Sequence, residues 1–89
     1  MKSESIRNLI HRIPDGYSVG FYFGVKYSIS KKTYNAGRSY KIYAEELGGN
    51  DFISLNYYQS ASGDHLKPCE MPTEKVIVFL TDVEISPAD

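Results

Sequence analysis

Cys69 is the one thiol in this 89-residue chain, and its neighbours are of a kind that can activate sulfur. It stands between Pro68 and Pro72, two residues after Lys67 and just ahead of a segment with helical spacing. A helix N-terminus and a lysine both lower a thiol pKa, whereas the adjacent Glu70 raises it. A sulfoxide-reducing or peroxidatic cysteine needs that depression, and then a second thiol to resolve the oxidised sulfur. The chain has no second thiol. Cys69 as a catalytic residue therefore needs an external reductant, while as a small buried hydrophobe it needs nothing further.

His65 and Cys69 have an H-x3-C spacing, but a structural zinc site takes four ligands, usually Cys or His. The whole chain offers His11, His65 and Cys69. No metal site and no cofactor is predicted. Gly48-Gly49 lacks the lysine and hydroxyl of a phosphate-binding loop and is followed by Asn50-Asp51-Phe52, so it reads as a hairpin turn.

Charge is unevenly distributed. Ten basic and eleven acidic residues give a net charge of −1, yet Lys26–Lys41 contains five basic residues and no acidic one. Tyr27, Tyr34 and Tyr40 are interleaved with these cations. Lysines beside aromatic rings are the ingredients of single-stranded nucleic-acid platforms, with Lys31, Lys32 and Arg38 as the phosphate-binding candidates. Two observations count against that reading. Strand parity assigns Tyr27 and Tyr40 to core faces, and the overall balance is slightly acidic where such modules are basic.

These residues must be positioned by a small set of elements. Ile6, Leu9, Ile10 and Ile13 fall at i, i+3, i+4 and i+7, predicting a helix over 4–13 capped by Ser3 and stopped by Pro14-Asp15-Gly16. Tyr17–Ser30 alternates apolar and polar residues throughout, which is a strand period. As one strand it would be roughly 45 Å long against a usual 17–20 Å, so it must fold back. A three-residue loop Tyr22-Phe23-Gly24 pairs Phe21 with Val25, Val19 with Tyr27 and Tyr17 with Ile29, putting all six on one face. Phe23 is then exposed at the tip.

Lys31–Arg38 reads as a polar connector. A second hairpin, turning at Leu47-Gly48-Gly49-Asn50, pairs Ala44 with Ile53, Ile42 with Leu55 and Tyr40 with Tyr57. Tyr43, Phe52 and Tyr58 occupy its other face. His65–Met71 is extended because each proline disfavours helix in the residue before it. After Pro72, the spacing of Val76, Ile77, Leu80 and Val83 predicts a helix.

The expected fold is α+β: a two-layer sandwich in which a four-stranded, mainly antiparallel sheet of two hairpins carries an N-terminal and a C-terminal helix on one face. Residues 1–89 form a single domain, with 1–3 and 86–89 frayed. No stretch approaches the roughly 18 apolar residues of a membrane span, and the N-terminus lacks the layout of a secretory signal. A cytoplasmic protein with no membrane association is the expectation.

Gly37–Tyr57 (GRSYKIYAEELGGNDFISLNY), followed by Leu66–Pro72 (LKPCEMP), resembles a family of short bacterial proteins, some of which carry the name peptide methionine sulfoxide reductase. The likeness extends over most of 16–80 and implies a small bacterial cytosolic domain. The Gly-Cys-Phe-Trp-Gly and paired Cys-x-x-Cys motifs of known reductases do not occur here, so no catalytic role carries over.

The sequence therefore reads first as a non-catalytic interaction or accessory domain, contacting another protein or a second copy of itself through Phe23, Tyr43, Phe52 and Tyr58. A thiol-dependent redox protein using Cys69 is the alternative. Nucleic-acid binding through the 26–41 segment is the second alternative.

Overall fold

A computed structural model describes residues 3–86. The chain forms helix α1 (Ser3–Arg12) and strands β1 (Gly16–Tyr22), β2 (Val25–Tyr34), β3 (Ser39–Glu46), β4 (Phe52–Tyr58) and β5 (His65–Pro68). Helix α2 (Thr73–Asp82) and the two-residue strand β6 (Glu84–Ile85) complete it. All neighbouring strands are antiparallel, in the order β5-β4-β3-β2-β1-β6. The α+β class and the antiparallel sheet agree with the expectation, but the sheet has six strands rather than four. The extended segment before Pro68 adds to one edge as β5. After α2 the chain turns back to add β6 at the other edge, where the Ser86 N–H donates to Val19 O at 2.8 Å. The remaining ends expected to fray, apart from Ser3, lie outside the described residues.

The second hairpin has the expected register, with Ala44 opposite Ile53, Ile42 opposite Leu55 and Tyr40 opposite Tyr57. The first does not. Tyr22 faces Val25 and Phe21 faces Lys26, so the loop is the two residues Phe23-Gly24. Both have positive φ, 50° and 79°, as in the hairpin turn whose twist matches that of the flanking strands. Shifting the pairing by one residue reverses the predicted faces of β1 relative to β2. Tyr27 and Ile29 of β2 point into the core, and across from them β1 contributes Ser18, Gly20 and Tyr22.

The small residues have a packing reason. A Cβ on Gly20 would sit 3.0 Å from Val83 Cγ2 and from Glu84 O, and 3.1 Å from Ile29 Cδ1. The absent side chain is where the α2–β6 connection enters the core. Tyr22 packs on Phe79 and Tyr27, with ring centroids 5.0 and 5.8 Å apart. Ser18 Oγ is buried without a hydrogen-bond partner. Tyr17, Val19 and Phe21 are displaced to the opposite face.

Both helices cover the same face of the sheet. Ile10 and Ile13 beside α2's Val76, Phe79 and Leu80 meet Tyr27, Ile29, Ile42, Ile53, Leu55 and Tyr57, all buried. Basic side chains satisfy the carbonyls at both helix C-termini. The Lys31 ammonium donates to Ile10 O and Ile13 O at 3.0 and 2.9 Å, and the Arg12 guanidinium donates to Val83 O and Leu80 O.

Phe23 adopts a left-handed conformation that costs a residue with a Cβ about 1–2 kcal/mol, and its ring is 73 % exposed. Phe23→Asn should therefore raise the unfolding free energy by about 1 kcal/mol in urea titration. A loss of stability of that size would show that the Phe23 ring on Tyr22 outweighs the backbone cost, contrary to the turn assigned here.

Candidate functional site: the open sheet face

The sheet face opposite the helices is uncovered among the described residues. Register assembles its side chains into cross-strand rows. Tyr34, Ser39, Tyr58 and His65 form the row nearest the β2–β3 loop. Next comes Lys32, Lys41, Asn56 and Lys67, one residue from each of β2 to β5. The third row is Tyr17, Ser30, Tyr43 and Ser54, and the fourth Val19, Ser28, Glu45 and Phe52. A line of cations thus lies between two lines containing aromatic rings.

Exposure follows the same division. Tyr17, Phe21, Tyr34, Tyr43 and Tyr58 on this face all count among the exposed large hydrophobics. Tyr43 and Phe52 stack with centroids 6.1 Å apart. Shallow depressions separate the rings. One of about 380 Å³ is lined by Ser30, Lys32, Tyr34, Lys41 and Tyr43. Another, of about 600 Å³, runs off the end of the sheet beside Tyr58 and includes Arg38 and Arg7.

The expected site residues divide between three places. Tyr43, Phe52, Tyr58 and Lys32 share the open face, and Arg38 borders it. Phe23 is exposed but stands at the β1–β2 tip, the end of the sheet away from Tyr58. Lys31 was expected in a free connector and is instead inside the molecule. Strand β2 continues through Tyr34, and alternation then turns Lys31 inward and Lys32 outward. Lys31 is 5 % exposed, its ammonium lies 5.0 Å from the centre of the Tyr40 ring, and Asp15 is 3.6 Å away. Burial pushes its pKa down, with Asp15 opposing. It is a structural residue.

Cys69 is half-buried at the far end of β5, where its N–H donates to Ser54 O at 2.9 Å and Asn56 Nδ2 lies 3.5 Å from its sulfur. His65 begins the same strand, four residues or about 13 Å away along an extended chain, too far to share a metal ion. Lys41 and Lys67 were absent from the expected binding set. Lys41 was legible from the parity of the second hairpin, whereas Lys67 joins the row only through the pairing of β5 with β4.

Two carboxylates off this face are held by a cation and a phenol each. Asp64, whose side chain is 2 % exposed, accepts from Arg7 at 2.8 Å and from the Tyr57 hydroxyl. Asp51 accepts from Lys75 at 2.7 Å and from the Tyr27 hydroxyl at 2.8 Å. Arg7, then Tyr57, pull the Asp64 pKa below the ordinary value of 3.8, and Lys75, then Tyr27, do the same for Asp51. Burial pushes Tyr57 up to about 12, aided by Asp64, and also raises Tyr27. Every partner in these clusters is already engaged, so they act as clamps tying the helices to the sheet.

Among the described residues the ion pairs are those of Arg7, Lys31 and Lys75. Lys32, Lys41, Lys67 and Arg38 belong to none of them. Comparison with family models, curated proteins and solved structures finds no match.

The clamps set a pH window. Carboxylates with depressed folded pKa values stabilise the fold fully above about pH 4 and lose that contribution as pH falls through the folded values. Phenols with raised folded pKa values stabilise it below about pH 10 and lose that contribution as pH rises further. Urea titrations should give a plateau between these limits, and Asp64→Asn should flatten the acid limb. An acid limb equally steep in Asp64→Asn would contradict the clamp.

Proposed function

We propose that this chain is a non-catalytic interaction domain whose binding surface is the open face of its sheet. The observation that carries this reading is the concentration, on the sheet face that no described helix covers, of exposed rings and of lysines that form no ion pair among the described residues. Isolated exposed apolar residues are ordinary on protein surfaces, whereas a contiguous set marks an interaction surface. Lys32 and Lys41 add a second argument. They are directly opposite on neighbouring strands, and like charges so placed are destabilising. A position that costs stability is characteristic of function.

The reading that Cys69 serves a redox reaction has less support, because its recorded side-chain partner is the neutral amide of Asn56. A small bacterial protein working in the cytoplasm fits this function. No helix among the described residues is long and apolar enough to cross a membrane.

Lys41→Thr tests the division of labour. It removes one of two opposed charges and introduces a residue suited to strands, so stability should rise by about 0.5 kcal/mol at low ionic strength and the gain should shrink as salt screens the pair. The immobilised chain should capture a ligand that a Tyr43→Ser/Tyr58→Ser variant with an unchanged melting profile does not. A stability loss in Lys41→Thr, or identical capture by the double variant, contradicts the proposal.

A further inference from the structure

Resting on the reading of the open face as a binding surface, we infer that its ligand is single-stranded nucleic acid. Phosphates would lie along the Lys32–Lys41–Lys67 row and bases would stack on Tyr34, Tyr58 and Tyr43.

Charge complementarity selects the partner. The chain as a whole is at −1, but the face is not. Asp51 and Asp64 are committed to the clamps, and Glu74 and Asp82 belong to the helix layer. The open face has Glu45 within the four rows and Glu84 at its β6 edge opposite Phe21, away from the lysine row. The Glu45 carboxylate is the acceptor for the Tyr43 hydroxyl at 3.3 Å. The cations stand in register across β2 to β5, three strand spacings or roughly 14 Å, and Arg38 continues the positive surface beyond Tyr58. A ligand that runs across the strands and repeats its negative charge meets all of them, whereas one carboxylate would meet one or two.

The flanking rings favour single strands over duplex. A duplex presents phosphates with its bases hidden in the stack, leaving exposed tyrosines without a role. Unpaired bases stack on aromatic rings without regard to sequence while lysines follow the backbone. Ser30 and Asn56 lie between the rings, are partly exposed, and can bond base edges or sugar hydroxyls.

The test is fluorescence anisotropy of labelled 12-nucleotide DNA and RNA single strands at pH 7 over a range of potassium chloride concentrations. Sedimentation of the chain alone accompanies it. Binding through three lysines gives a slope of log K against log salt of about −2, and Lys41→Gln reduces its magnitude by about 0.7. Tyr58→Ala, checked for folding by its melting curve, weakens binding about tenfold and leaves the slope unchanged. Tyr43→Ala repeats the test should Tyr58→Ala fail to fold. A 12-base-pair duplex competes less well than the single strand.

Duplex and single strand binding equally, with no effect of either tyrosine substitution, would overturn the inference in favour of plain polyanion capture. No binding, together with self-association that Tyr43→Ala abolishes, would overturn the nucleic-acid inference and leave the binding face intact. No binding and an inert monomer would overturn both.

Discussion

A buried lysine decides which way this sheet faces. The C-terminus of α1 packs against β2, where the Lys31 ammonium donates to Ile13 O and to Ile10 O, the latter also accepting from the Ile13 N–H. Hydrogen bonds from a charged donor to buried acceptors contribute about 1.5–3 kcal/mol each, enough to offset burial of a partly desolvated ammonium that also has Asp15 and the Tyr40 ring beside it. Because strand side chains alternate, drawing Lys31 inward sends Lys32 outward. Antiparallel register then carries Lys32 to Lys41, Asn56 and Lys67. One helix-capping interaction thus fixes the composition of the face on the far side of the sheet.

The two faces obey different rules. On the helix side Lys31 is answered by carbonyls, Arg12 by the end of α2, Asp51 by Lys75 and Tyr27, and Asp64 by Arg7 and Tyr57. On the open side two lysines oppose each other, and Tyr17, Tyr34, Tyr43 and Tyr58 are exposed. A small domain has only a few kcal/mol of net stability, so a face that adds repulsion must rely on the other for its order. The core side achieves this with two helices, an aromatic cluster of Tyr22, Tyr27 and Phe79, and the two clamps.

Much of the architecture was legible where alternation was unambiguous. Tyr40, Ile42 and Ala44 against Ile53, Leu55 and Tyr57 admit one register with a single apolar face, and the structure adopts it. The same reasoning misplaced the first hairpin, because Tyr17, Val19 and Phe21 imitate a core face while belonging to the open one. Their true partners inside are Ser18 and Gly20, whose small size makes sense only once Val83 is known to pack there. Strand β6 has two residues and β5 has four ending in proline, too short for any period to register. Lys31 and Lys32 look alike in a polar run; what separates them is a helix end distant in sequence. The aromatic members Tyr43, Phe52 and Tyr58 were visible early, but their grouping with Lys41 and Lys67 required the pairing of four strands.

The claim that adjacent lysines have opposite fates is open to direct measurement by amine acylation of the folded chain, with each site quantified by mass spectrometry. Lys32, Lys41 and Lys67 should react together at rates typical of exposed amines. Lys31 should remain unmodified until the chain is unfolded by urea, and then react like the others. Equal rates at Lys31 and Lys32 in the folded chain would contradict the helix cap, and with it the assignment of the open face.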